Sequence, residues 1–522
     1  MGWLVSRPVE PILESRDTLR QPPLSGSVSG VRTDEHERDF RPRAEPARRR
    51  LMRRRVVVVA LLAALAGFAS ARAVGPETAA AARSAPPGLQ TGFADNLYFA
   101  ADLGVRNSVF DRTVEVGARI VRINVVWRLV AGAQPANPRD PADPAYRFGA
   151  IDDAVRGAAQ RGLDVLLTLY SAPDYAQGPG RPAGTPAGTW RPDPGAFADF
   201  AAAVATRYSG GFAGLPRVRY FQAWNEPNLN IYLTPQWDGK ALAAPAHYVA
   251  MLNAFYDAVK AVDRDNRVVT AGTAPYGDPP GGPRTHPLAF WRAALCVRGR
   301  AKPRGVACPV KPKLDILAHH PINTSGGPTR SAIHPDDVST PDFGNVRRVL
   351  RAAERHRNIA TGRRHPLWAT EIWWDSNPPD RFEGVPLKRH ARYLAQALHL
   401  LWRAGARTVI NLQIRDIAYD PQDPFANTNT GLLFDDGTPK PAFAAFRFPF
   451  VVDKVRGGMR AWGRAPVGGR LVIERRGRGA WQRLATRRVR SGSVFTAKLD
   501  LRGRQRLRAR VGGEHSLVWV KR

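Results

Sequence analysis

Cysteine is scarce in this chain of 522 residues, with Cys296 and Cys308 the two that occur. They form no CxxC pair and no cluster with histidine, so we expect no structural zinc site, and nothing in the sequence predicts another metal or a cofactor. In an exported protein such a pair predicts a disulfide across a short loop, worth roughly 3 kcal/mol in the chain-entropy model. Two free thiols are the alternative.

Long apolar runs are also missing. The run 56–69 is shorter than the roughly 20 residues that a membrane-spanning helix needs. It follows the basic stretch 48–55 and precedes the small-x-small sequence Ala69-Ser70-Ala71, an arrangement typical of a secretory signal. We therefore expect a signal peptide at 52–73, a secreted or cell-surface protein, and no membrane span once the signal is removed. A retained N-terminal anchor is the alternative.

The residues on either side of this signal lack hydrophobic periodicity. Residues 1–51 are polar and rich in Arg and Pro, so we expect a disordered extension. Met52 stands directly before Arg53-Arg54-Arg55, and we expect translation to start there, which would make 1–51 upstream sequence. Residues 74–88 are expected to be a linker.

Acidic residues are few relative to basic ones. The chain has 78 Lys and Arg against 45 Asp and Glu, a formal net charge of +33, and the segment 451–522 alone has 20 against 4. A solvated Arg-rich surface from a biased composition is the simplest explanation of this charge. The alternative is that the segment binds an anionic polymer of the cell envelope, because a basic module attracts such polymers. No nucleic-acid-binding motif accompanies the charge, so nucleic acid is not an expected partner.

Nucleotide-binding motifs are absent, because no GxGxxG follows a strand and no P-loop occurs. Instead, short β-branched runs alternate with amphipathic helical segments. Eight such units predict an α/β fold, a (β/α)8 TIM barrel, over 89–450. A doubly wound sheet is the alternative. The expected strands are 89–94, 118–126, 163–170, 218–224, 267–271, 314–319, 366–370 and 408–412.

After about residue 450 the pattern changes to short strands separated by Gly-rich turns. It predicts a small all-β, sandwich-like domain at 451–522. Because this segment has no pair of carboxylates at strand ends, we expect a separable module that takes no part in chemistry. The expected strands are 469–474, 483–490, 493–499, 504–511 and 516–521.

Two glutamates occupy the positions where barrel enzymes hold catalytic groups. The fourth strand runs into Trp224-Asn225-Glu226-Pro227, and the seventh ends at Glu371. The carboxyl ends of barrel strands share one rim, so both glutamates can face one cleft. Glycosidic cleavage needs such a pair, one acid to protonate the leaving oxygen and one carboxylate to attack or to activate water. Retention of configuration would require the carboxyl groups to lie about 5–5.5 Å apart.

Trp-Asn-Glu-Pro after the fourth strand, with a glutamate after the seventh, resembles clan A of the glycoside hydrolases, in particular families 5 and 39, which include cellulases and β-xylosidases. The resemblance implies a retaining double displacement, with Glu226 as acid/base and Glu371 as nucleophile. It also implies that Asn225 donates to the 2-hydroxyl of the sugar and that Arg122 steadies the nucleophile. His320 matches a histidine on the sixth strand of that clan.

The chain departs from the clan at two positions. Ile322 stands where many relatives have a tyrosine that bonds to the nucleophile, and the eighth strand ends in Leu412-Gln413-Ile414-Arg415-Asp416 instead of tryptophan. The identity of the sugar is therefore not inherited from the resemblance.

Aromatic side chains at the same rim are candidates for sugar binding, because flat aromatic faces suit the apolar faces of sugar rings. These candidates are Trp127, Tyr170, Trp190, Trp224, Trp373 and Trp374, and His319 is a further candidate for substrate binding. The sequence predicts a secreted retaining glycoside hydrolase that cleaves O-glycosidic bonds of a poly- or oligosaccharide. A catalytically inactive barrel that binds cell-wall glycan is the alternative.

Overall fold

A computed structural model describes residues 88–323, 326–420, 422 and 428–521. The expected extension at 1–51, the signal peptide at 52–73 and all of the linker except Gly88 lie outside the described residues. Among the helices that the structure describes, none is both long and apolar enough to cross a bilayer.

Eight parallel strands form a closed barrel, which confirms the predicted fold. They are β1 (Gln90–Ala94), β2 (Ile120–Val126), β3 (Asp164–Tyr170), β4 (Tyr220–Ala223), β5 (Arg267–Thr270), β6 (Leu317–His319), β7 (Leu367–Ile372) and β8 (Ala406–Leu412). Each strand pairs with a chain neighbour, and β8 returns to β1. Two parallel bridges, Val269 to Ile316 and Thr273 to His319, close the ring between β5 and β6.

Helices cover the outside of the barrel between successive strands. They are α1 (Leu103–Glu115), α2 (Trp127–Val130), α3 (Gly149–Ala159), α4 (Pro194–Arg207), α5 (Ala244–Val262), α6 (Pro287–Ala294), α7 (Gly344–His356), α8 (Leu387–Ala404) and α9 (Pro441–Arg447). The sequence sets their ends by ordinary capping: the Asp193 carboxylate accepts from Ala196 N at the start of α4. Gly405, with a left-handed φ of 101°, ends α8.

The interior of the barrel is filled in two layers, because strand residues two apart point to the same side. The layer nearer the N-terminal ends is apolar and includes Ile120, Leu166, Tyr220, Ile316, Trp368 and Ile410. The layer above it, nearer the C-terminal ends, is polar and includes Arg122, Thr168, Gln222 and Thr370. The apolar layer therefore closes the barrel below a polar platform that faces the C-terminal rim.

Cys296 and Cys308 form a disulfide, as predicted. It closes the loop between α6 and β6, which carries a two-residue antiparallel ladder of Val297–Arg298 with Arg304–Gly305. The Asn358 amide, just past α7, donates to the backbone oxygens of Cys296 and Val306 and so attaches this loop to the barrel.

Two antiparallel sheets follow the barrel, in agreement with the predicted all-β segment. One contains β9 (Phe450–Val455), β10 (Gly458–Arg464) and β13 (Val494–Leu499); the other contains β11 (Gly469–Arg476), β12 (Trp481–Val489), β14 (Gln505–Val511), β15 (Glu514–His515) and β16 (Trp519–Lys521). These sheets share a hydrophobic cluster with the barrel helices. Trp462 of β10 packs against His399 and Trp402 of α8, with ring centroids 5.0 and 5.9 Å away.

Candidate active site

The turn after β4 presents Glu226 through an unusual backbone path. Trp224 and Glu226 both have positive φ, 77° and 35°, which side-chain-bearing residues rarely adopt. Backbone bonds hold this path, since Trp224 N donates to Leu169 O and Glu226 N donates to Gly272 O. Such strain concentrates at functional sites, where the surrounding structure enforces it.

Asn228 fastens the same turn to the end of β5. Its buried side-chain amide donates to Ala274 O and Thr285 O, and its Oδ1 accepts from Ala274 N at 2.8 Å. Our sequence interpretation passed over this residue, although an Asn directly after Glu-Pro in a turn is the available signal.

A β-bulge presents Glu371. Ala369 pairs with Val409 and Ile372 with Asn411, so three steps along β7 match two along β8. Trp368 and Thr370 point into the barrel, and Ala369 between them points outward to the helices. In a regular strand, Glu371 would point outward as well, because alternate residues face opposite sides. The bulge re-aims the following residue, so Glu371 also reaches the interior. Glu371 thus lies within β7, not after it as the sequence suggested.

Arg122 links the two halves of the site from the polar layer. Its guanidinium donates to Glu371 Oε2 at 3.0 Å, to Asn225 Oδ1 at 2.7 Å and to Thr168 Oγ1 at 3.0 Å. Thr168 in turn donates to Gln222 Oε1 at 2.8 Å. Because Arg122 occupies the oxygen of the Asn225 amide, the NH₂ group of that amide remains a donor for a ligand.

Glu226 and Glu371 face each other at the centre of the rim. A carboxylate oxygen of each lies within 4.8 Å of the other, and both side chains stay in contact with solvent, 12% and 17% exposed. Burial raises the pKa of Glu226 to about 7, although Arg122 lowers it in part. Glu371 instead forms an ion pair with Arg122, with Oε2 3.0 Å from the guanidinium. The pair therefore offers one proton donor and one anion at neutral pH.

His320 touches both carboxylates from the end of β6. Its Nδ1 lies 2.8 Å from Glu226 Oε1 and 3.9 Å from Glu371 Oε2. Burial lowers the pKa of His320 to about 3, so the imidazole is neutral. A neutral ring has one N–H, so Nδ1–H donates to the ionised Glu226, or the protonated Glu226 donates to a bare Nδ1.

Gly272 makes room for this imidazole. A Cβ at Gly272 would lie 2.1 Å from His320 Nε2 and 2.8 Å from Thr370 Oγ1. Gly272 O also accepts a hydrogen bond from Glu226 N. Gly272 therefore contacts both Glu226 and the imidazole that lies between the two glutamates. A glycine directly after a buried strand was the sequence signal, and our interpretation missed it.

Three predicted substrate-binding residues are corrected by the structure. His319 is fully buried, with Nδ1 bonded to Thr273 Oγ1 and Nε2 to Val338 O, so neither nitrogen is left for a ligand. The Trp224 indole is buried against Phe197, and its N–H donates to Tyr232 O. Trp127 stacks on Phe200, in the layer between strands and helices. These side chains stabilise the rim from behind.

Other aromatic candidates lie differently. Trp373, two residues after Glu371, is half-buried and stays accessible, whereas the Trp374 indole donates to Gly326 O and is buried. Trp190 is half-buried and donates to Pro179 O. Tyr170 is nearly buried at the tip of β3.

Tyr232 is an aromatic residue of the site that our sequence interpretation did not name. Its ring lies edge-on to Tyr170, with centroids 6.0 Å apart. Burial, reinforced by the charge of Glu226 and then by Tyr170 and Glu371, raises the pKa of Tyr232 well above its usual value. Its position in the loop that follows Glu226 was the only sequence signal.

The two departures from the clan pattern are visible in the structure. Ile322 is buried and has no polar side-chain atom, and among the described residues Arg122 provides the one hydrogen bond to the Glu371 carboxylate. Gln413 ends β8 with a positive φ of 60°, and its Oε1 accepts from Thr430 at 3.1 Å. A buried polar side chain thus follows β8 where many members of the clan carry tryptophan.

Among the residues that the structure describes, two groups of side chains each bring three potential metal-ligand atoms within 4.8 Å of one another. One is Glu226, His320 and Glu371, where Arg122 already pairs with Glu371. The other, away from the two glutamates, is His286, His334 and Asp337, where the Asp337 carboxylate accepts from His286 Nδ1 and from Gly277 N.

Neither a protein family nor a curated protein matches this sequence. Among solved structures, the chain is similar to a family 39 glycoside hydrolase from the gut symbiont Bacteroides cellulosilyticus WH2, at 18% identity and a TM-score of 0.49 over 79% of this chain and 81% of that one. It is also similar to a monomeric beta-xylosidase from Caulobacter crescentus CB15, at 16% identity and a TM-score of 0.46 over 79% and 95% of the two chains. A GH5_18 protein from Bifidobacterium longum subsp. infantis has 16% identity and a TM-score of 0.44 over 69% and 78%. Families 39 and 5, named there, are the two that the sequence motifs indicate.

Proposed function

We propose that this protein is a retaining glycoside hydrolase that acts on a poly- or oligosaccharide. The observation that carries the proposal is the pair Glu226 and Glu371, whose nearest carboxylate oxygens lie within 4.8 Å on the C-terminal rim of the barrel. An inverting enzyme needs a wider gap, about 6.5–9.5 Å between its carboxyl groups, to admit a water molecule. The short separation favours direct attack by a carboxylate.

The first step uses the different protonation states of the two groups. The Glu226 acid donates its proton to the glycosidic oxygen while the Glu371 carboxylate attacks the anomeric carbon. The bond to the leaving oxygen breaks, and a glycosyl ester of Glu371 forms. Asn225, oriented by Arg122, donates its NH₂ to the neighbouring sugar hydroxyl, a contact that strengthens in the transition state.

The second step reverses the roles. Glu226, now a carboxylate, takes a proton from water, and the resulting hydroxide attacks the anomeric carbon. The ester bond breaks, Glu371 leaves as a carboxylate beside Arg122, and Glu226 holds a proton again. Two displacements at the same carbon restore the original configuration.

A leaving-group series tests the assignment. With aryl glycosides of poor leaving groups, Glu226→Ala should reduce the rate roughly 10²–10⁴-fold, the usual range for general acid catalysis. With a dinitrophenyl glycoside, whose leaving group needs no proton, glycosylation should be nearly unaffected, and the glycosyl-enzyme should accumulate in the mass spectrum. Glu371→Ala should form no glycosyl-enzyme from any substrate.

Glu115→Ala, which removes an exposed carboxylate paired with Arg112 on α1, serves as the matched control and should behave as wild type. Equal losses for good and poor leaving groups in the Glu226 variant would rule out its role as the acid. Glycan binding without any turnover by the wild type would instead support an inactive glycan-binding barrel.

We also propose that the protein works outside the cytoplasm. The signal-like segment 52–73 and the disulfide of Cys296 and Cys308 support this, because disulfides persist in oxidising compartments. N-terminal sequencing of protein from culture medium should give a start within a few residues of Ala73. Recovery of the whole chain in the cytoplasm, with its first residues intact, would contradict export.

A further inference from the structure

A cavity of about 1060 Å³ lies at the end of the barrel opposite to Glu226 and Glu371. Its floor is the apolar layer of the barrel interior, where the rings of Tyr220 and Trp368 lie 5.1 Å apart. One wall consists of residues at the N-terminal ends of the barrel strands. The other wall is formed by the C-terminal sheets, through Arg464 at the end of β10 and the turn at Ser491 and Gly492.

Arginine dominates this cleft. The guanidinium groups that line it belong to Arg119, Arg219, Arg267, Arg364, Arg407 and Arg464. Two carboxylates line it as well, Asp164 and Asp315, and Asp315 is already paired with Lys260 at 2.9 Å and Arg267 at 3.6 Å. Within the described part of the chain, no carboxylate lies within 4.0 Å of Arg119, Arg364, Arg407 or Arg464. The cleft therefore holds a surplus of positive charge.

Arg464 is the arginine of this cleft whose positive charge is buried. Its side chain is 3% exposed; one nitrogen donates to Gly117 O at 2.7 Å, and its buried Nε has no partner among the described residues. Burial and the neighbouring charge of Arg119 lower the pKa of Arg464 to about 10. A buried cation without a counter-ion is destabilising unless something compensates its charge. Arg464 and Arg119 both line the cleft and neither has a carboxylate partner among the described residues, so the two guanidinium groups suit an anion that bridges them.

We propose that this cleft binds a multivalent oxyanion of the phosphate class, with Arg464 at its base and Arg119 and Arg407 at its rim. Guanidinium groups present paired N–H donors that match the oxygens of a phosphate group bidentately. Four arginines that line the cleft have no carboxylate partner among the described residues, so the ligand has several charged groups. The site is independent of hydrolysis, because it lies at the other end of the barrel strands.

Titration of the full chain with tripolyphosphate tests the site. We expect saturable binding by calorimetry and a rise in the melting temperature with ligand concentration. The double variant Arg119→Gln/Arg407→Gln should weaken binding at least about tenfold, because two charge-assisted contacts are lost. The matched control is Arg487→Gln/Arg488→Gln, which removes the same charge from exposed positions of β12 outside the cleft and should keep the wild-type affinity. Equal weakening in the two double variants, or no saturable binding by the wild type, would overturn the proposal.

Arg464→Met provides a second test that does not depend on the rim. Removing a buried unpaired charge should raise the melting temperature of the ligand-free protein and abolish the further rise with tripolyphosphate. If tripolyphosphate raised the melting temperature of Arg464→Met as much as that of the wild type, Arg464 would not contribute to binding. Long-chain polyphosphate distinguishes the sources of the anion: tighter binding than tripolyphosphate indicates a polymer, and equal binding indicates a small free anion.

Discussion

Glu226 and Glu371 have the same functional group, and their surroundings make them chemically different. Glu226 sits on a strained turn, where burial raises its pKa to about 7 and its hydrogen-bond partner is a neutral imidazole. Glu371 lies against a guanidinium that also orients Asn225. Two carboxyl groups whose environments separate their protonation states are the usual means by which one site holds both an acid and a base.

The loss of activity at basic pH should follow the deprotonation of Glu226. Its pKa is raised above the ordinary value of 4.5 to about 7, so the proton-donating form is present below that pH and is lost as pH rises through it. For a substrate with a poor leaving group, kcat/KM should therefore fall above about pH 7. Because Arg122 lowers this pKa, Arg122→Met should move the limb to higher pH, and Arg122→Lys should move it less. A basic limb that persists unchanged in Glu226→Ala would assign the titration to another group.

At the scale of elements, the positions of the two glutamates depend mainly on the backbone conformation at the carboxyl ends of the strands. The eight strands could be predicted because buried parallel strands leave continuous apolar runs in the sequence. The bulge in β7 and the positive φ of Trp224 and Glu226 leave no such pattern, because they depend on partner strands distant in the chain. The sequence therefore indicated both glutamates as candidates, but it did not predict the backbone conformations that bring their side chains together.

The same limit explains the corrected aromatic residues. A tryptophan at a strand end can turn toward the cleft or toward the helices, and the sequence around Trp127 and Trp224 does not distinguish the two. Helix α4 decides the outcome, since its Phe197 and Phe200 fill the space behind the rim and pack against both indoles. His319 and His320 are adjacent in a strand end and face opposite ways, so one belongs to the core and the other to the site.

The connection after β5 should tolerate no side chain at Gly272. In Gly272→Ala the new Cβ would overlap His320 Nε2 and Thr370 Oγ1, so the imidazole must move away from Glu226. We expect kcat to fall about tenfold or more, and overpacking to cost about 1–3 kcal/mol of folding free energy. The measurements are steady-state kinetics and urea unfolding.

Gly149→Ala is the matched control, because nothing lies within 4 Å of a Cβ at this first residue of α3. It should leave kcat unchanged and stabilise the fold by about 0.5–1 kcal/mol. Wild-type kcat in Gly272→Ala would show that the imidazole does not need its present position.

At the scale of the whole molecule, the two proposed sites lie at opposite ends of the barrel. The proposed catalytic pair lies at the carboxyl ends of the strands, and the Arg-lined cleft lies at their amino ends, partly walled by the C-terminal sheets. The C-terminal sheets also share a hydrophobic cluster with the barrel helices. Strands β9 and β10 were missing from the sequence prediction, because their apolar residues pack on α8 and not only on the other strands of their own sheet.

This shared core means that the C-terminal sheets should stabilise the barrel without affecting its chemistry. Trp462 is fully buried between β10 and α8, so Trp462→Ala should lower the free energy of unfolding by about 3–5 kcal/mol, the usual loss for a large buried aromatic side chain. Trp481→Ala removes an indole that is half-buried on an edge strand, where Arg476 and Arg508 cover it, so the loss of unfolding free energy should be much smaller, about 1 kcal/mol.

Both variants should hydrolyse a small aryl glycoside at the wild-type rate well below their melting temperatures, because neither residue lies near Glu226 or Glu371. Urea unfolding gives the two free energies, and kinetics on the folded variants give the rates. Equal stability losses would mean that β10 and α8 do not form a common core, and a low rate in a folded Trp462→Ala protein would mean that the sheets shape the cleft.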